Sequence, residues 1–480
     1  MPTHTLLIDG THQPSASGET LPVVNPATEE VIAEVASATE TDVDAAVTAA
    51  RAAFEGPWSR VTARERGRLL WRLGDLMLAR ADELARRETL HNGKPIFESR
   101  QIEIPASAEC VQYYAGWADK VHGETVPVKG GYLAYTLREP VGVVAAIVPW
   151  NFPLLLATWK VAPALACGNT VVLKPASQTP LTALALGDLA LEAGIPPGVL
   201  NVVTGPGGRV GRAIVEHAGV DKIAFTGDTS TGREIMRGAA GTLKRITLEL
   251  GGKSPNIVFP DADLDAAVRG ATTGIFYGKG EVCAAGSRLL VDRTIRDAFL
   301  EKVAARAKKM VPGDPLDPKT RLGAIASKSQ LERVLGYVRK GRDEGATLVA
   351  GGERADIGTG RGYFMQPTVF AGVTPAMTIA REEIFGPVLA TIEFGDVDEA
   401  IARANDSMYG LAAAVWTRDV KKAHYVARRL QAGTVWVNTY NVYDTAMPFG
   451  GYKQSGFGRE MGLHALESYT QVKSVFVDLG

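Results

Sequence analysis

Beyond residue 140 the chain alternates two hydrophobic rhythms. Residues 141–148 (VGVVAAIV), 169–173 (NTVVL), 199–203 and 222–225 are short apolar runs of strand length. Between them, 159–166, 181–193, 208–217 and 230–238 read as helices, the second closed by Gly194. Short apolar strands alternating with helices predict a parallel, doubly wound α/β sheet. Residues 246–250 and 256–259 predict further strands. Helices near 262–270, 296–310 and 329–344 carry the alternation into a second α/β unit.

The first 140 residues follow another pattern. Thr41-Asp42-Val43-Asp44 reads as a capping box, after which Val43, Ala46, Val47, Ala50 and Phe54 recur at helical spacing. Residues 63–90 predict a second helix, with Leu69, Leu73, Leu76, Met77 and Leu84 on its apolar face. Residues 126–137 (VPVKGGYLAYTL) place Gly130-Gly131 between two β-prone segments and predict a hairpin. Residues 473–479 (KSVFVDL) alternate like a strand with no local partner, so pairing elsewhere is expected, another subunit being one candidate.

Length and composition narrow the class. At 480 residues the chain exceeds one ordinary core. Its 46% hydrophobic and 22% charged residues are those of a soluble globular protein. With 52 basic and 53 acidic side chains, nothing favours nucleic acid or an anionic membrane. Cys110, Cys167 and Cys283 lie far apart without CxxC spacing, which fits a reducing, cytoplasmic setting. The histidines are scattered without an HxxxH pair, so no metal site is expected. Residues 141–173 are strongly apolar, but Pro149, Asn151, Pro153, Lys160 and Pro163 interrupt them, which argues against a membrane span.

Three segments hold candidate chemistry. Cys283 is framed by Gly278, Gly280 and Gly286, which permit a tight, exposed turn. A thiol near pKa 8.5 is only roughly 3% thiolate at pH 7, so a nucleophilic cysteine needs activation. An arbitrary cysteine is more often buried and inert, the reading kept for Cys110 and Cys167. Glu249 ends an apolar segment before Gly251-Gly252, where a raised pKa suits a general base; an exposed acid at a strand end is the alternative. Asn151 lies between Trp150 and Phe152, where its amide either donates to an oxyanion or caps the next turn.

Together these segments resemble the aldehyde dehydrogenase superfamily over nearly the whole chain. The resemblance rests on seven motifs in family order: IVPWNFP at 147–153, LKPAS at 173–177, FTG at 225–227, LELGGKSPNIV at 248–258, GEVCAAGSR at 280–288, EEIFGPV at 382–388 and PFGGYKQSGFGRE at 448–460. It implies a Rossmann-like dinucleotide-binding domain over 1–120 and 140–252, and a catalytic α/β domain over 253–447. It also implies a small β oligomerisation element over 121–139 and 467–480, in a homodimer or homotetramer.

By the same resemblance Cys283 matches the nucleophile and Glu249 the base that activates the deacylating water. Asn151, with the Cys283 N–H, matches the oxyanion hole, and Glu460 a second acid of a proton path. Glu383 and Phe385 match residues that position the nicotinamide ribose and ring. Val148, Pro149, Trp150, Lys174, Gly207, Gly211, Phe225, Gly227, Asp228 and Leu250 match the surroundings of an NAD or NADP cofactor.

The segment 205–211 (GPGGRVG) imitates a phosphate fingerprint but is GxGxxxG, with no acid at the expected distance. The resemblance instead puts the pyrophosphate at 227–232 (GDTSTG), where helix N–H groups meet phosphate and Asp228 replaces the commoner serine. Ser177 stands where NAD-preferring relatives usually carry Glu. A carboxylate there would repel a 2′-phosphate by up to about 4 kcal/mol at roughly 4 Å and an effective dielectric of about 20. Ser177 with Lys174 therefore predicts that NADP+ is accepted, with Arg209 or Arg212 as further phosphate contacts.

By resemblance Phe152, Trp159, Tyr277, Val282, Tyr440, Tyr443 and Phe449 line the substrate pocket. Their character implies a small-molecule aldehyde that is apolar or aromatic, and Tyr443-Asp444 leaves a cationic aminoaldehyde open. Two other functional classes compete with hydrolytic oxidation. Acyl transfer to coenzyme A needs no water-activating base, which Glu249 argues against. A non-catalytic role is disfavoured by the presence of both Cys283 and Asn151.

Overall fold

Strands β1 (Val143–Ile147), β2 (Thr170–Lys174), β3 (Leu200–Val202), β4 (Lys222–Thr226) and β5 (Arg245–Glu249) run parallel in the computed structural model, which describes residues 2–480. Their order is 5-4-1-2-3, so the sheet reverses direction between β1 and β4. Alternate residues of β1 enter different cores, which is why the strand reads as an unbroken apolar run. Val144 and Ala146 pack with helix α1 (Pro153–Ala166), whereas Val143, Ala145 and Ile147 pack with helices Glu40–Glu55 and α2 (Thr229–Ala239).

The edges of this sheet come from the two ends of the chain. Gly456–Phe457 pairs antiparallel with β5, and Leu6–Ile8 pairs antiparallel with β3.

A second parallel sheet holds β6 (Pro255–Val258), β7 (Arg288–Asp292), β8 (Thr368–Ala371), β9 (Val388–Phe394), β10 (Ala412–Trp416) and β11 (Thr434–Val437), in the order 8-9-7-6-10-11. Thr347–Ala350 adds an antiparallel edge next to β8. Helices α3 (Leu264–Phe276) and α4 (Lys328–Asp343) flank it.

Several sequence expectations need correction. The capping box is Thr39 with Asp42, not Thr41 with Asp44, so the helix starts at Glu40. The single helix expected over 63–90 is two, Ala63–Ala79 and Ala81–Asn92, broken at Arg80 (φ −107°, ψ 22°). Met77, Ala81 and Leu84 stay in one core across the break, so the apolar stripe does not reveal it. Helix α1 starts six residues early, because it is buried nearly all round and lacks an amphipathic period.

The C-terminal strand is not unpaired within its own chain. Thr470–Asp478 pairs antiparallel with Tyr132–Pro140, from Thr470 opposite Pro140 to Asp478 opposite Tyr132. Its partner lies so far away in sequence that no local pattern announces it. Thr125–Val126 completes the expected hairpin on the other side of Tyr132–Pro140. Among the described residues no helix is long and apolar enough to cross a membrane.

Candidate active site

Cys283 lies in the loop between α3 and β7. Gly278 (φ 56°), Lys279 (φ 61°) and Gly280 (φ 72°) are consecutively left-handed. A Cβ on Gly280 would sit 2.3 Å from the Gly386 carbonyl carbon, so this turn requires glycine. The loop leaves Cys283 partly exposed, where two cavities meet. Cys110 and Cys167 are buried and free.

The smaller cavity, about 140 Å³, opens beside the C-terminal ends of β1 and β4. In doubly wound sheets ligands bind where the strand order reverses, as it does here. Pro149, Trp150, Asn151, Gly227, Asp228, Leu250, Glu383 and Phe385 line it, joined by Thr226, Gly251, Gln330 and Arg333. Glu383 accepts a hydrogen bond from Gly252 N at 2.9 Å, and burial pushes its carboxyl up to about 7. A Cβ on Gly251 would lie 2.1 Å from Glu383 Oε2, so glycine there lets the carboxylate turn inward. Phe385 is left-handed (φ 59°), and its ring meets Trp150 edge-on at 5.3 Å.

The remaining cofactor candidates lie outside this lining. Lys174 ends β2, where its Nζ donates to Pro175 O at 2.9 Å and burial lowers its pKa to about 8. Gly211 packs against the Lys174 side chain, and Ser177 Oγ donates to Gly205 O at 2.9 Å. Gly207 opens the turn Gly207–Gly211. Val148 N donates to Lys174 O at 3.1 Å, and Phe225 is buried with its ring beneath Gly227.

Two expectations about phosphate change. The start of α2 is not wholly free, because the Asp228 carboxylate caps it and accepts from Ser230 N at 2.7 Å. Arg209 is engaged elsewhere, with Glu19 at 2.9 Å and Ser37 Oγ at 2.7 Å, whereas Arg212 is exposed. Arg333 is a cation in the crevice that no motif pointed to.

The larger cavity, about 360 Å³, is lined by all seven expected residues, Phe152, Trp159, Tyr277, Val282, Tyr440, Tyr443 and Phe449. Ile102, Glu109, Leu155, Leu156, Asp444 and Met461 also line it. Its lining includes neither Lys nor Arg.

Glu249 ends β5, 4% exposed, and among the described residues neither of its carboxylate oxygens has a hydrogen-bond partner. Burial first, then the charge of Glu460, holds its pKa well above the ordinary carboxylate value. Glu460 is itself buried and pairs with Lys160 Nζ at 2.5 Å, which also donates to Thr226 Oγ1 at 2.6 Å. Lys160 escaped the sequence reading as a site residue. A lone lysine in a buried helix needs an anionic partner, and that was the available signal.

Although Cys283 is partly exposed, the protein surrounding it desolvates its thiol and, with the neighbouring charges of Glu249 and Glu383, pushes it up. Thiolate formation is therefore opposed here, and attack requires a proton acceptor or a change of surroundings. Asn151, 6% exposed, donates from Nδ2 to Glu281 O at 3.0 Å. An amide nitrogen has two hydrogens, so one remains for a ligand oxygen at the cavity. Among the described residues no group of His, Cys, Asp or Glu is arranged to hold a metal.

Comparison with known proteins agrees over the full length. The model of the aldehyde dehydrogenase family matches residues 12–475. The mitochondrial aldehyde dehydrogenase of Homo sapiens is 52% identical over 475 residues, spanning 98% of this chain and 91% of that protein. The NAD+ complex of aldehyde dehydrogenase from Bacillus cereus superposes with a TM-score of 0.98 at 50% identity, covering 100% of this chain and 97% of that one. The indole-3-acetaldehyde dehydrogenase AldA of P. syringae, in complex with NAD+ and IAA, gives 0.97 at 48% identity, covering 99% and 97%. By sequence and by structure, the chain belongs to the aldehyde dehydrogenase family.

Proposed function

We propose that this protein oxidises an apolar or aromatic aldehyde to the free carboxylic acid with a nicotinamide cofactor, through a covalent bond to Cys283. The observation that carries this reading is that Cys283 alone, among the described residues, lines both cavities. A nucleophile at that junction meets a substrate from the aromatic side and a redox partner from the other.

The crevice residues fit a nicotinamide dinucleotide: an edge-on Trp150–Phe385 pair, an inward-turned Glu383, and a position at the sheet reversal. When bound, the nicotinamide supplies the hydride acceptor that converts the thiohemiacetal to a thioester. The protein's own part is to bind, orient and move protons. Cys283 gives its thiol proton to water at the junction and its Sγ attacks the carbonyl carbon, while the second Asn151 Nδ2 hydrogen and the Cys283 N–H hold the oxyanion. Glu249, with both oxygens unpartnered, takes the proton from the water that cleaves the thioester. Lys160 and Glu460 stand behind it as a buried pair through which that proton can leave.

The aromatic lining and volume of the larger cavity support an aromatic or medium apolar aldehyde. Indole-3-acetaldehyde, in the name of the P. syringae relative, is of that kind. Glu109 and Asp444 in the same lining favour a second reading, a cationic aldehyde held by ring faces and acids. A kcat/KM panel of aromatic, aliphatic, amino and acidic aldehydes tests both, with acidic ones expected to be poorest. Product analysis with and without coenzyme A tests the hydrolytic route. An acyl thioester as the main product would end it.

Ser177 supports use of NADP+ as well as NAD+. Its hydroxyl donates to Gly205 O at 2.9 Å, beside Lys174, without the carboxylate that would repel a 2′-phosphate. Ser177→Glu is expected to lower kcat/KM for NADP+ at least tenfold while sparing NAD+, since about 1.4 kcal/mol of repulsion suffices. Equal losses with both cofactors, or undetectable NADP+ turnover by the parent, would exclude it. The three-stranded sheet built from the hairpin and Thr470–Asp478, with Tyr132, Leu133, Val472 and Phe476 exposed, is the element we assign to homodimer or homotetramer contacts.

A further inference from the structure

The amide of Asn151 and the thiol of Cys283 sit on loops that follow β1 and α3, in different halves of the molecule. The contacts that join these loops form a closed circuit. Asn151 Nδ2 donates to Glu281 O at 3.0 Å. The Glu281 carboxylate pairs with Lys279 Nζ at 2.9 Å. That ammonium also donates to Asn92, to Oδ1 at 2.7 Å and to O at 3.0 Å. Asn92 Nδ2 in turn donates to Trp150 O at 2.7 Å, one residue before Asn151.

The three side chains that link the two loops are withdrawn from water. Asn92 is 0%, Glu281 1% and Lys279 2% exposed. Lys279 also holds a left-handed backbone (φ 61°) between two left-handed glycines. Such a conformation in a residue with a side chain persists only where the surroundings over-determine it, and it clusters at functional sites. Lys279 lines neither cavity, so nothing in the reaction touches it directly. A buried ion pair adds little to stability over an apolar replacement, so geometry is the better reason for this one.

We propose that Lys279, Asn92 and Glu281 are positioning residues, locking the Asn151 amide and the Cys283 loop into one unit so that oxyanion stabilisation depends on them. Glu281 O takes one Asn151 hydrogen and thereby aims the other at the reacting oxygen. The proposal rests on the oxyanion role assigned to Asn151 above.

The test is a double-mutant cycle in the full-length protein. Lys279→Met is expected to lower kcat and the rate of the first hydride burst about 100-fold, the usual cost of a misplaced catalytic group. The Kd for NAD+, read by fluorescence titration, and the KM for aldehyde are expected to stay within about threefold, because neither is set by transition-state contacts. In an Asn151→Ala background the same substitution is expected to cost less than about threefold, since the group it positions is gone. Asn92→Ala, which leaves the Lys279–Glu281 pair in place, gives the same pattern and serves if Lys279→Met does not bind NAD+. A parental kcat in both variants overturns the proposal, as does an additive cycle. If Asn151→Ala itself leaves kcat unchanged, the oxyanion reading falls and takes the proposal with it; an additive cycle beside a damaging Asn151→Ala removes the proposal alone.

Discussion

Cys283→Ala is expected to reduce aldehyde oxidation by about 10^6-fold, the scale on which removing a covalent nucleophile acts. The reason lies in the junction it occupies. Cys110 and Cys167 are buried in the core and line neither cavity, so no other thiol can substitute. Cofactor binding should survive, because most of the crevice lining comes from residues other than Cys283. The fold should survive as well, since removing one partly exposed sulfur costs about 1 kcal/mol or less. Turnover is followed by absorbance of the reduced cofactor, and binding by fluorescence titration. Turnover within tenfold of the parent would end the case for covalent catalysis.

Glu249→Gln should separate the two halves of the reaction. One equivalent of reduced cofactor per site is expected in a rapid burst. Steady-state turnover should then fall by about 10^2- to 10^4-fold, the contribution of a general base. Stopped-flow absorbance reads both phases. Unchanged turnover would remove Glu249 from the mechanism, and loss of the burst would move its role to activation of Cys283.

The sign of the pH dependence follows from the same side chain. Its pKa is raised in the folded protein, chiefly by burial and then by Glu460. The base is ionised only above that raised value, so deacylation should rise with pH through it. Stability runs the other way. A carboxyl whose folded pKa exceeds its unfolded one stabilises fully below the unfolded value, and that contribution is lost as pH rises through the folded one. Glu249→Gln should therefore flatten the fall of Tm with rising pH. An unaltered slope would mean that the burial of Glu249 is not thermodynamically felt.

Much of this was readable from the chain, and most of what was not depends on residues far away in sequence. The strands β1 to β4 declared themselves because each is buried from end to end, and β5 through its buried Thr247–Glu249 end. The cavity residues Phe152, Tyr277 and Phe449 follow from the family resemblance, not from periodicity. What stayed hidden depends on distant partners. Thr470–Asp478 meets Tyr132–Pro140, Lys160 meets Glu460, and Arg209 is drawn to Glu19 and Ser37. The break at Arg80 was hidden for the opposite reason, because the local pattern runs on smoothly through it.

The edge strand Gly456–Phe457 bears on how the molecule comes into being. It lies against Leu248 and Glu249, so the sheet carrying the proposed base is closed by residues synthesised some two hundred positions later. Contacts of such long range slow folding, because the intervening chain must be ordered before they form. A nascent chain can assemble β1 to β5 early, yet Glu249 stays open to water on that side until the last portion of the chain docks. The cover that Gly456–Phe457 gives to Glu249 is therefore available only once those residues have left the ribosome.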